Sequence, residues 1–182
     1  MSEHIIIFSS ARRTGNTSIA AQTLAEKLKA EILFLDDYQI NAYDYEVSEH
    51  KDDFTEVMGI LLQFEHWVFA SPVYWYNTTA QIKTFFDRIT DYMDDETLQL
   101  QLRQLRNKRM SVLSTSNVLQ GVDAFVAPFK LTAEYLGMTF KYHFHSLATS
   151  SGKISINNIN VSNRLYGNFT GLIQKNKCPE NT

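Results

Sequence analysis

The sequence predicts an α/β domain: a doubly wound, five-stranded parallel sheet with helices on both faces. Short apolar, β-branched runs alternate with longer amphipathic ones. The five apolar runs are separated by segments that fit crossover helices. No repeat or linker interrupts the 182 residues, a length that one core can serve.

The elements follow in order. His4 to Phe8 is continuous and β-branched, as a strand buried on both faces should be. Asn16 to Ala30 is helical, with Ile19, Leu24 and Leu28 on one face and Glu26, Lys27 and Lys29 on the other. Glu31 to Leu35 forms the second strand, and Asp36 to Lys51 is polar, tyrosine-rich and irregular. Asp53 to Glu65 is helical and His66 to Ala70 is the third strand. Thr78 to Tyr92 repeats Ile82, Phe85, Phe86 and Ile89 at helical spacing. Asp94 to Arg106 reads as a short helix or an excursion, Arg109 to Leu113 as the fourth strand, Val122 to Leu136 as a helix and Met138 to Phe144 as the fifth strand. The tail from Ser146 is rich in Ser, Asn and Gly, with a weakly periodic helix over Leu165 to Gln174.

Composition narrows the function classes. A net charge of −3 with no basic stripe argues against nucleic acid, and it lacks the dense acidity of a carrier that docks on basic partners. The lone Cys178 cannot form an internal disulfide. No run approaches signal-peptide or membrane-span length, so the expectation is a cytoplasmic protein without membrane partners. Aromatic residues make up 13%, and those placed in loops suit stacking on a planar ligand or a partner subunit.

In doubly wound sheets ligands bind beyond the carboxyl ends of the strands, where strand order reverses. The loop after the first strand, Ser9 to Ser18, packs hydroxyls, an amide, a glycine and two guanidinium groups against a helix N-terminus. Unpaired N–H groups and the helix dipole favour an anion there, and Ser, Thr and Arg side chains bind phosphate oxygens. Helix capping alone needs only one such residue. The loop matches neither the dinucleotide-binding glycine pattern nor the P-loop. After the third strand, Pro72 stiffens a loop that places Tyr74, Trp75 and Tyr76 in succession, and consecutive residues cannot all face inward. After the fourth comes Ser114-Thr115-Ser116-Asn117, whose ordinary reading is a turn.

Phe8-Ser9-Ser10-Ala11-Arg12, closing with Gly15-Asn16-Thr17-Ser18, resembles the FMN-phosphate loop of the flavodoxin-like NAD(P)H-dependent FMN and quinone reductases. Ser71-Pro72-Val73-Tyr74-Trp75-Tyr76-Asn77, followed by Gln81-Ile82-Lys83 and Phe85-Phe86-Asp87-Arg88, resembles their second flavin loop and is the more specific match. The likeness covers roughly residues 4–145 of what reads as a single FMN-binding domain, 1–182. It implies strand order 2-1-3-4-5. It assigns the phosphate to Ser10, Arg12, Asn16, Thr17 and Ser18, and the ring to Pro72, Val73, Tyr74, Trp75 and Asn77. Ser114, Thr115 and Ser116 match by position only, toward the ribityl chain or ring. Ser9 stands where the family usually has Gly, and Arg13 reads as a solvated charge.

The implied activity is hydride transfer from NADPH or NADH, through non-covalent FMN, to a small acceptor such as a quinone or flavin. The protein would supply orientation and electrostatics, with no catalytic side chain. The resemblance also implies a homodimer. An FMN electron carrier without a substrate of its own, or a cofactor-free binding module, are the alternatives. Some relatives hold an iron–sulfur cluster on cysteines between strand two and helix two, but Asn41 to Glu46 has none. His143 and His145 alternate along the fifth strand without further ligands and read as ordinary strand residues, so no metal site is expected. Asp36-Asp37 and Asp94-Asp95 read as solvated loop acids, Lys83 and Arg88 as helix-surface or subunit-contact residues, and Asp87 followed by Arg88 as structural rather than catalytic.

Overall fold

The computed structural model describes residues 2–47, 51–118, 120–148 and 159–161. Strands β1 (His4–Phe8), β2 (Glu31–Phe34), β3 (His66–Pro72), β4 (Arg109–Ser116) and β5 (Thr139–Leu147) form a parallel sheet in the order β2-β1-β3-β4-β5. Beyond the expected five, β6 (Ile159–Val161) adds an antiparallel edge strand to β5. The helix expected at Leu165 to Gln174 lies outside the described residues.

The crossovers hold α1 (Asn16–Leu28), α2 (Phe54–Leu61), α3 (Ala80–Arg88) and α6 (Val122–Tyr135), with α4 (Asp91–Asp94) and α5 (Glu96–Arg103) in the excursion before β4. No helix among the described residues is long and apolar enough to cross a membrane. Helix α1 covers one sheet face, where Ala20, Ala21 and Leu24 pack on Ile6, Phe8, Val68 and Phe144. Helices α2, α3 and α6 cover the other, with Phe54, Phe85, Phe125 and Phe129 around Trp67 and Phe69. Each such ring contributes on the order of 2 kcal/mol of apolar burial, so the α2/α3/α6 side is the stronger core. Most phenylalanines therefore serve packing, and among the described residues the exposed aromatics are Tyr45, Tyr74, Trp75, Tyr76 and Tyr135.

Three strands run past their expected ends, β5 to Leu147 among them. β3 reaches Pro72 and β4 reaches Ser116, with Ser71 beside Ser114 and Pro72 beside Thr115. Serine, threonine and proline read as turn residues in sequence, yet here they are ladder positions. Proline is tolerated because it closes its strand. The β4–β5 register also shifts: Met110 faces Phe140, but Val112 faces His143. One extra residue on β5, where the Tyr142 amide bonds the Ser111 hydroxyl at 3.1 Å, switches which side chains face α6.

Arg88 does not lie on the surface. Its side chain is 3% exposed and pairs with Asp52, itself 1% exposed, and with Asp91. It also donates to the Asn41 carbonyl at 3.1 Å, and its guanidinium lies over the Phe54 ring, 4.9 Å from the centroid. Lys83 and Asp87 form an exposed pair one turn apart, as surface residues do. Asp95 is not merely solvated, since its carboxylate accepts the Leu98 amide at the start of α5.

Candidate functional site

Three loops meet at the carboxyl ends of β1, β3 and β4 and enclose an open cleft of about 190 Å³. The first element is the start of the 13-residue helix α1. Its N-cap, Gly15, supplies no side-chain hydrogen bond, and no acid sits in the first turn. The helix therefore presents amides and the positive end of its dipole to the cleft, beside Ser10, Arg12, Asn16 and Thr17.

Asp36 is not a solvated acid but the anchor of this loop. Its carboxylate accepts the Ser9 hydroxyl and the Ser10 amide, both at 2.9 Å. The Ser9 proton is thereby used, so Thr79, 2.7 Å away, donates its hydroxyl to Ser9. Thr79 also donates its amide to Ser71, joining the β1 loop to the end of β3. The hydroxyl at position 9 thus links two loops, which a glycine there would leave unlinked. Thr17 and Thr115 pair at 2.6 Å and tie the same loop to β4. Arg13 stands outside this arrangement, paired with Asp37 and lying over the Phe34 ring.

The second loop closes as a two-residue hairpin. Tyr74 and Asn77 exchange backbone hydrogen bonds at 2.9 Å in both directions, and Trp75 and Tyr76 take φ of 51° and 64°. Such turns favour Asn and Gly at both centres, so two large aromatics here are strained. Tyr76 lies where a Cβ on Gly121 would approach within 2.3 Å of its ring, and Gly121 itself has φ of +81°. Trp75 is 95% exposed. The amides of Val73, Tyr74, Asn77 and Thr78 are all paired within the protein. Only Trp75 and Tyr76, at the tip, retain unpaired amides in this loop among the described residues. Trp75→Gly is expected to relieve the left-handed backbone and raise the unfolding free energy by about 1 kcal/mol, read from urea denaturation. A fall in stability would show that the indole packs against something in solution.

The cleft brings together Ser10, Arg12, Asn16 and Thr17 with Pro72, Val73, Tyr74, Thr115 and Ser116. Four expected residues do not line it. Ser18 is 3% exposed inside α1, and Trp75 and Asn77 belong to the hairpin beyond the lining. Ser114 is fully buried, with its hydroxyl bonded to His143 at 2.8 Å and His145 at 2.7 Å. Gly15, Asn117 and Ala148 line the cleft in addition. Asn117 follows the hydroxyl run and could have been extended from it; Ala148 carries no chemical signal and arrives because its amide bonds the Ser116 carbonyl at 2.8 Å. A larger groove of about 510 Å³ between α3 and α6 has an apolar floor of Phe86, Ile89, Met93 and Leu131, and the charged side chains at its edge, Lys83 and Asp87, pair with each other. No cluster of three metal-ligating side chains occurs among the described residues.

The model of a family described as NADPH-dependent FMN reductase matches residues 3–148. YwqN of Bacillus subtilis, whose name describes an NAD(P)H-dependent FMN-containing oxidoreductase, is 24% identical over 75% of this chain and 80% of its own length. The Trp repressor binding protein of Bacillus subtilis shares the fold with a TM-score of 0.65 at 21% identity, over 80% of this chain and 85% of that one. An FMN-dependent NADH-azoreductase of Bacillus anthracis, solved with FMN, gives 0.58 at 12% identity, over 84% and 90%.

Proposed function

The chain belongs to the NADPH-dependent FMN reductase family, and on that premise we propose that it holds FMN in this cleft and reduces a small acceptor, such as a quinone or a free flavin, with NADPH or NADH. The supporting observation is the convergence of the uncapped α1 N-terminus, Ser10, Arg12 and Asn16 on one cleft whose other walls are Pro72 to Tyr74 and Thr115 to Ser116. The donor set fits a phosphate: helix amides, hydroxyls and a guanidinium that can bind two oxygens at once. The cleft, about 190 Å³, would take that head group and part of the chain attached to it.

FMN, when bound, supplies the hydride-carrying chemistry. The protein's own residues bind and orient. Arg12 and the first turn of α1 hold the anion, while Asp36 fixes the loop from behind through Ser9 and Ser10. The free amides of Trp75 and Tyr76 offer donors to the polar edge of a ring, where they would stabilise negative charge on its reduced form. The Trp75 indole, exposed beside the cleft, would offer a flat surface for a ring or an acceptor to stack on. Ser18 and Ser114 are better assigned to helix and strand than to the cofactor, and Asn117 joins the set.

A homodimer working in the cytoplasm completes this reading. Trp75, Tyr76 and Leu100 expose apolar surface that a second copy would cover. Sedimentation at two loading concentrations tests it; a monomer at both overturns it.

The purified protein should show flavin absorbance, or acquire it on reconstitution, and NADPH or NADH should bleach it without a separate reductase. A colourless protein that takes up no FMN would sink the proposal. Bound flavin that neither nicotinamide reduces would mark an electron carrier instead. Arg12→Ala should weaken FMN binding by roughly tenfold to a hundredfold, as expected for losing a charge-assisted contact. Unchanged affinity would place the phosphate elsewhere.

A further inference from the structure

Beneath the β4 wall of the cleft lies a buried chain of side chains that the binding roles above do not use. The extra residue in β5 turns His143 and His145 toward α6, onto the face that carries Ser114 and Ser116. The contacts run His143 Nε2 to Ser114 Oγ at 2.8 Å, Ser114 Oγ to His145 Nδ1 at 2.7 Å, and His145 Nε2 to Ser116 Oγ at 3.1 Å. The Ser116 hydroxyl then bonds the Val118 carbonyl.

Only one proton arrangement satisfies this chain. A carbonyl can only accept, so Ser116 donates to Val118 and has no proton left. His145 must therefore donate from Nε2, and as a neutral ring it accepts at Nδ1. Ser114 gives its proton to that nitrogen, so His143 donates from Nε2 to Ser114. Burial keeps both rings neutral, pushing His143 down to about 3 and lowering His145 as well. The neighbouring charges do not reverse this: Lys130 on α6 also disfavours the imidazolium at His143, as does His145. Phe125 of α6 closes the other side, its ring centroid 6.4 Å from that of His143.

Ser116 is the one member of the chain that reaches the cleft. We propose that His143 and His145 are positioning residues that lock Ser116 as a pure hydrogen-bond acceptor on the cleft wall, so that the cofactor group facing it is a hydroxyl or N–H donor. This rests on the FMN reading for its ligand, and not for the direction of the chain. Without His145 the Ser116 hydroxyl loses the N–H that fixes it from behind, is held by the Val118 carbonyl alone, and can turn to offer its proton to the cleft.

Two measurements on the full chain test it. Nitrogen NMR of the histidines in ligand-free protein should show both His143 and His145 as the neutral Nε2–H tautomer. An Nδ1–H tautomer at either would overturn the proposal, whether or not FMN binds. FMN dissociation constants for His145→Ala, Ser116→Ala and the double variant should each rise by roughly fivefold, with the double no worse than the singles, because one hydrogen bond is lost in all three. Additive losses, or a His145→Ala affinity equal to the parent's, would overturn it too. His145→Gln, which keeps an N–H donor near Ser116, should recover part of the loss, which general loosening of β5 would not allow. Two donors on FMN fit, and 3-methyl-FMN, which lacks the ring imide N–H, separates them. If the His145→Ala penalty vanishes with it, the donor is the imide; if it persists, a ribityl hydroxyl. Failure of every variant and the parent to bind FMN would refute the cofactor reading, leaving the tautomers to decide the rest.

Discussion

Acidification from pH ~7 to ~5 should weaken this fold steeply, because unfolding releases buried imidazoles that then take up protons. Two groups dominate. Burial, reinforced by the nearby His4 and Lys141, pushes His66 down to about 3. His143 falls equally far, through burial and then its neighbours His145 and Lys130. In the unfolded chain each would titrate near the ordinary value of 6.5. Between those limits the unfolded state binds more protons, so stability drops as pH drops. It is fully present above the unfolded value and is lost progressively toward the folded one. Each histidine reaches a slope of about 1.4 kcal/mol per pH unit only below its unfolded value, so both together remove about 4 kcal/mol between pH ~7 and ~5, comparable to the whole stability of a marginal domain. Urea unfolding followed by circular dichroism across this range measures the slope directly. His66→Gln and His143→Gln should each remove about half of it, whatever they cost at neutral pH. A free energy that stays level down to pH ~5 would mean that the imidazoles gain protons inside the fold, which would also undo the neutral chain through Ser114.

The same histidines show where sequence reading reaches its limit. Period and punctuation located every strand from β1 to β5, because continuous apolar runs such as His4 to Phe8 have few alternative uses. The phosphate loop was legible too, since hydroxyls and a guanidinium before a helix have a definite chemistry. What escaped was set by contacts between distant positions. Asp36 looks like any loop acid until the sheet brings it to Ser9 and Ser10. Ser114 and Ser116 are two residues apart and chemically alike, yet one is sealed among histidines and the other lines the cleft. That division depends on where β4 ends and on one extra residue in β5, and neither leaves a mark in local composition. The hairpin was hidden for a different reason: Trp75 and Tyr76 contradict the residue preference of their own turn, so the local rule pointed away from the structure.

Asp52→Ala should cost about 3 kcal/mol, since it strips a buried guanidinium of its principal partner. Burial works against the Asp52 carboxylate, but hydrogen bonds from Arg88 and from the Asn41 and Phe54 amides outweigh it and hold the group below its ordinary range. The Asn41 amide belongs to the irregular segment between β2 and α2 and the Phe54 amide opens α2, so the acid also fastens a stretch of chain that has no helix or strand to order it onto the helix that follows. In the variant, Arg88 keeps Asp91 and the Asn41 carbonyl, which sets the loss at the lower end for a broken buried pair. Arg88→Met removes the charge that needed compensation, and the double variant should recover about 2 kcal/mol relative to the sum of the singles. A loss below about 1 kcal/mol for Asp52→Ala would mean that water reaches the pair and screens it as it does at a surface. FMN affinity separates this role from a binding one. Arg88 stands at the end of α3 and Thr79 immediately before its start, so a folded variant retains the Thr79 link to Ser9 and with it the phosphate loop. The dissociation constant should therefore stay at the parent's value while the fold weakens, the reverse of the pattern expected for Arg12→Ala.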